Sequence, residues 1–132
     1  MSVTANFESD APIVYRTVRL SHRRLDTGVV AVSAHGEIDA ANADDFCDYV
    51  QDLVSGCDQL VVDLSELTFF GTPGVSALRR IRIDAAWVLV TGPAVARMLR
   101  VCDAAGDLPA AGSLAAALAV LRGAPGLQLV GG

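Results

Sequence analysis

The stretch that most narrows the fold is Leu60-Val61-Val62-Asp63-Leu64. It is almost continuously apolar, with no polar alternation, so a strand made from it must be covered on both faces. Strands of that kind sit in parallel sheets, whose connections need crossover helices. The next residues, Leu67-Thr68-Phe69-Phe70-Gly71-Thr72-Pro73-Gly74, precede Val75 to Ile83, where apolar residues recur every three or four positions. A strand that turns sharply into a helix leaves the first helical N–H groups at the turn. Thr72 fits as the helix cap, its hydroxyl accepting from one of those donors. Pro73 then takes the first helical position, where its missing N–H costs nothing. A hydroxyl at the positive end of a helix dipole stands where a phosphate is also well tolerated. Capping alone equally accounts for Thr72.

At 132 residues the chain is one domain's worth of sequence, enough for a single buried core. Slightly over half of it is hydrophobic, but no run approaches the roughly 18 apolar residues of a membrane span. The N-terminus lacks the basic start and apolar middle of a signal peptide, so a soluble cytoplasmic protein with no membrane contact is the expectation. A formal charge of −5 and the absence of a basic block argue against direct nucleic-acid binding. Cys47, Cys57 and Cys102 show no close pair and no histidine at ligand spacing, which indicates neither a metal site nor a disulfide framework. With His22 and His35 isolated as well, no nucleophile–base pair is visible and an enzyme is not indicated.

Read in order, residues 1–12 form an arm without periodicity, and Ile13 to Leu20 alternate imperfectly as a first strand. Arg23 to Gly28 supply a turn, and Val29 to Ala34 a second strand, most simply joined as an antiparallel hairpin. Arg19, Arg23 and Arg24 read as the solvated face of that hairpin. His35 to Asn42 leave the strand and start a helix, with Asn42 as cap and Asp45 as the reciprocal half of a capping box. Its stripe is Phe46, Val50, Leu53 and Val54, and Gly56 ends it. Glu37, Asp39, Asp44 and Asp45 make an acidic corner there. Asp63 ends the strand below the turn and is expected to hold the loop by accepting backbone N–H bonds. In the second helix Val75, Leu78 and Ile81 point inward and Arg79, Arg80 and Arg82 outward. Trp87 to Val90 form the next buried strand. The third helix carries Val95, Met98, Leu99 and Cys102 and stops at Gly106. A short edge strand is expected around Leu108, limited by Pro109, before a last helix capped by Ser113 and bearing Leu114, Leu118 and Leu121. The result is an α/β fold: a mixed sheet of about five strands, an antiparallel hairpin followed by parallel strands, with four helices.

Four pieces, Gly36-Glu37-Ile38-Asp39, Leu60-Val61-Val62-Asp63-Leu64-Ser65, Leu67-Thr68-Phe69-Phe70 and Thr72-Pro73-Gly74-Val75, match in order and spacing the STAS domain of anti-sigma factor antagonists. Ser113 to Leu118 is similar to that family's last helix, and the similarity covers about Thr17 to Arg122. The resemblance implies a STAS domain over residues 13–122, with a tail at 123–132. It also implies a bacterial partner-switching role without a cofactor. In such systems the unmodified protein binds an anti-sigma factor that is a serine/threonine kinase and so frees a sigma factor. Phosphorylation breaks the complex, and a phosphatase restores it. The family's acceptor is the first serine of an Asp-Ser-Ser-Gly turn, and Thr72 takes that position here. Gly71 stands where the family has Asp, and Pro73 where it has the second serine.

The resulting expectation is a binding protein switched at Thr72. Its partner surface would comprise Glu37, Asp39, Asp44, Phe70, Gly71, Pro73, Gly74 and Val75. Two alternatives stay open: a module holding a nucleotide or other anion at the helix start, and a scaffold in a larger regulatory assembly. Whether two copies pair is also open.

Overall fold

The computed structural model describes residues 12–81, 86–103 and 106–131, with side chains as far as Gly123. The expected N-terminal arm lies almost wholly outside the described residues, as do Arg82 and Ile83. Chain order is β1 (Ile13–Tyr15), β2 (Val18–Asp26), β3 (Val29–Ile38), α1 (Ala43–Val54), β4 (Gln59–Phe70) and α2 (Thr72–Arg80), followed by β5 (Ala86–Val90), α3 (Gly92–Cys102), β6 (Ala110–Ala111) and α4 (Leu114–Gly131). The strands form one sheet in the order β1-β2-β3-β4-β5-β6. The β1–β2 and β2–β3 pairs are antiparallel, and the three pairs from β3 to β6 are parallel.

The sheet thus has six strands among the described residues rather than about five. The extra strand arises because Ile13 to Leu20 is not continuous. Arg16 adopts φ 60, in the left-handed region, and folds β1 back on β2. The turn expected over Arg23 to Gly28 shrinks to Thr27-Gly28, so β2 runs on to Asp26. Both central strands are longer than their apolar runs suggest. β3 continues through Gly36-Glu37-Ile38 instead of releasing them to a helix start, and β4 continues past Asp63 to Phe70. The edge strand lies at Ala110–Ala111, two residues beyond Leu108. The last helix reaches Gly131, past Gly123.

Bulges explain why the long strands escape a period-2 reading. Register shifts between Ser33 and His35 and between Gly36 and Glu37 let β4 keep pace with β3. Asp63 pins the first of them: its Oδ1 accepts the Ser65 N–H at 3.0 Å and the Ser65 hydroxyl at 2.6 Å. The carboxylate therefore shapes a mid-strand bulge rather than a strand end. Gly36 has φ +112, and a Cβ there would run into the Thr17 carbonyl oxygen, so glycine lets the β1–β2 turn approach β3.

Alternation across β3 and β4 feeds two cores. Val30, Val32, Leu60, Val62 and Leu64 face α1, α2 and α3, where they meet Phe46, Val50, Leu78, Val95 and Leu99. Ala31, Val61, Val88 and Val90 point the other way, under Ala117 and Leu121 of α4. The Leu60–Leu64 run is covered on both sides, as its lack of alternation requires. Burying a side chain such as Leu60 or Leu89, each fully buried, is worth about 1.5–3 kcal/mol. At the far end β3 and β4 finish level, Ile38 beside Phe70, and the Gly71 N–H donates to the Ile38 carbonyl at 3.0 Å. That places the start of α2 at the carboxyl ends of two parallel strands.

Candidate functional site

The helix after the turn begins one residue earlier than its capping pattern indicates. Gly71, extended at φ −88 and ψ 176, is the cap residue, and Thr72 is the first helical residue with Pro73 second. The Gly74 N–H donates to the Gly71 carbonyl at 2.9 Å, so a donor that a Thr72 cap would need is already satisfied. Thr72 is exposed, and its hydroxyl makes no hydrogen bond among the described residues. With Pro73 lacking an N–H and Gly74's committed, an anion at this helix start finds few free donors.

A second corrected cap lies alongside. Asn42 precedes α1, and its carbonyl accepts from Phe46 N–H at 3.0 Å, but its side chain forms no cap bond and no capping box with Asp45. It is wholly buried instead. Asn42 Oδ1 accepts the Asp39 N–H at 3.0 Å, while Nδ2 donates to the Tyr15 carbonyl at 3.1 Å and the Glu37 carbonyl at 3.0 Å. One amide thereby ties the β1–β2 turn, the end of β3 and the entry to α1. The acidic corner is accordingly subdivided. Asp39 Oδ1 accepts the Ala41 N–H at 2.9 Å and shapes the loop. Asp44 accepts from Arg80 of α2 at 2.8 Å, an exposed pair whose hydrogen bond pushes the guanidinium above its usual range. Glu37 is exposed, and no hydrogen bond or ion pair engages its carboxylate among the described residues. Next to Arg80 in the last turn of α2, Arg79 donates to the buried Asp103 carboxylate at 2.8 Å and to the Cys102 carbonyl at 2.9 Å. Asp103 also accepts the N–H groups of Asp107 and Leu108, so the last turn of α2 is tied to α1 through Arg80 and to the segment after α3 through Arg79.

Of the residues expected at a partner surface, Glu37, Asp44 and Thr72 are exposed, and Asp39 and Pro73 half-buried. Phe70, Gly71, Gly74 and Val75 are buried. Phe70 fills the core beneath the turn, and Gly74 lies so close to its ring that no Cβ would fit. These four hold the turn in shape from below.

Sequence reasoning passed over Phe69. It is 49% exposed, pairs with Glu37 across the β3–β4 register and lies with it on the face away from α1, α2 and α3. Its ring edge would sit 3.2 Å from a Cβ at Gly71, so it covers the backbone of the residue before Thr72. The available signal was period-2 alternation: with Phe70 inward, Phe69 must point out. Ending the strand at Leu64 hid that signal.

The family model for the STAS domain matches residues 23–117. A Mycobacterium tuberculosis (strain ATCC 25618 / H37Rv) protein, osmosensory protein A, is 38% identical over 73 residues, 52% of this chain and 46% of that protein. The chain thus matches about half the length of that relative. The crystal structure of an anti-sigma factor antagonist from Mycobacterium paratuberculosis superposes with a TM-score of 0.71 at 27% identity, covering 80% of this chain and 95% of that one. The anti-sigma factor antagonist SpoIIAA in its unphosphorylated form superposes at 0.61 over 79% of this chain and 96% of its own, and at 15% identity it speaks to the fold alone.

Proposed function

We propose that this chain, which belongs to the STAS domain family, is an anti-sigma factor antagonist that binds a kinase-type anti-sigma factor and is switched off by phosphorylation of Thr72. The observation that carries the reading is the uncommitted, exposed Thr72 hydroxyl, held by Gly71 at the carboxyl edge of the sheet. The likeness to the M. paratuberculosis antagonist over nearly all of that chain supports the role. The protein acts by binding rather than by catalysis, in the cytoplasm, and a serine/threonine phosphatase returns it to the active form. No helix among the described residues is long and apolar enough to cross a membrane, which fits a cytoplasmic partner.

The surface is Thr72 and Pro73 with Glu37, Asp39 and Asp44 at its acidic margin. Phosphorylation adds roughly −1.5 to −2 charges at a contact that was neutral. A hundredfold loss of affinity requires about 2.7 kcal/mol, which desolvation of that charge and its steric bulk against the partner can supply. The test is binding to an anti-sigma factor kinase from the protein's own host, with intact mass read after adding ATP. One added phosphoryl group is expected on the wild type and none on Thr72→Ala. Thr72→Ala should bind like the wild type and Thr72→Glu about a hundredfold more weakly. Equal binding by both variants would sink the switch.

A further inference from the structure

Phe69 is a large aromatic side chain, half open to solvent at the end of a central strand and half packed over the Gly71 backbone. Its position is well defined all the same. It is flanked by Phe70 in the core and Glu37 in register, and it lies over the Gly71 backbone, one residue from Thr72. From Thr68 to Val75 there is no charged side chain, so Phe69, Thr72 and Pro73 are themselves uncharged, while the exposed Glu37 carboxylate stands in register beside Phe69. A matching partner surface offers an apolar cavity for the ring with a basic rim facing Glu37.

We infer, resting on the function proposed above, that Phe69 is the anchor of the interface and sets its specificity: its ring enters an apolar pocket on the anti-sigma factor. Rigid, pre-positioned aromatics at the centre of an interface carry a large share of binding. This placement also accounts for the switch. Seating the Phe69 ring excludes water from its surroundings, so a phosphoryl group on Thr72 must lose its hydration or unseat the ring. Gly71 belongs to the same unit. A Cβ there would lie 3.2 Å from Phe69 Cε2 and 3.3 Å from Pro73 Cδ, so any larger residue pushes the ring aside.

The test uses the full chain and the anti-sigma factor kinase that the wild type binds. Phe69→Ala should stay folded with only a small loss of melting temperature, because half of the side chain is already open to solvent, but bind at least tenfold more weakly, chiefly through faster dissociation. Phe69→Tyr should retain affinity within about threefold, the ring being the element recognised. Gly71→Asp should weaken binding in the wild type but add little in the Phe69→Ala background. Binding of Phe69→Ala within twofold of wild type, or additive effects of the two substitutions, would overturn the inference while leaving the proposed function standing. If the wild type binds no anti-sigma factor of its host, the proposed function fails and this inference with it.

Discussion

At the scale of single residues, the most consequential side chain is one that does no chemistry. Asn42 is legible as a helix entry, since asparagine before Ala43-Asp44-Asp45 is a common cap pattern. Its actual work, joining Tyr15, Glu37 and Asp39, depends on residues far apart in sequence that only the assembled sheet brings within reach. Asn42→Ala leaves two carbonyls and an N–H without that partner in a buried place, and should cost about 2–3 kcal/mol in urea unfolding. Asn42→Asp should cost more at neutral pH, because a carboxylate oxygen would then face the Tyr15 and Glu37 carbonyls where the amide donated. Equal stability of the two variants would refute that hydrogen-bond assignment. Thr72 shows the opposite case: its exposure follows from Gly71 taking the cap position, a shift of one residue that propensity alone does not resolve.

Among the elements, the helices were the most readable, because apolar stripes at helical spacing are local facts. Phe46, Val50 and Val54 are buried as their spacing indicates, and Ser113 caps α4 by accepting the Ala116 N–H at 3.1 Å. Strand lengths were harder. The bulges in the β3–β4 ladder break alternation, and the Asp63–Ser65 bonds that stabilise one of them become meaningful only when β3 is alongside. The face that each helix covers was not readable at all. α4 covers the side opposite α1, α2 and α3, closing the second core with Ala117 and Leu121. Leu121 is 2% exposed, so Leu121→Ala should destabilise by about 2–4 kcal/mol in chemical denaturation. A change below 0.5 kcal/mol would mean that α4 does not pack as described.

Over the molecule as a whole, the two cores cover the apolar centres of β3, β4 and β5 with helices on both faces, and the larger core also takes in thiols. Burial pushes the Cys47 and Cys57 thiols above their ordinary value of 9.0, with Asp48 and Asp44 adding to the effect at Cys47 and Asp58 at Cys57. For Cys47, the nearby Arg80 opposes the shift without cancelling it. The native state keeps these protons at a pH where the unfolded chain releases them. Their contribution is therefore present below about pH 9 and is lost as pH rises through the folded values. The urea midpoint should decline from pH 8 to pH 10.5, and the Cys47→Ala, Cys57→Ala double variant should decline less steeply. An identical slope would show that the thiols are not the groups responsible. Cys47 should also alkylate more slowly in the native protein than in urea at pH 8.

By itself the sequence determined the fold class, the alternation of strands and helices, the inward stripes and the address of the candidate turn. Each of these rests on spacing within a few residues, where period and capping chemistry act. Tertiary structure alone decided the sixth strand, the full length of β3 and β4, the reassignment of Asn42 from cap to clamp, and which of Phe69 and Phe70 meets solvent. Those outcomes depend on register between strands thirty residues apart, and register is set by packing both faces of the sheet at once.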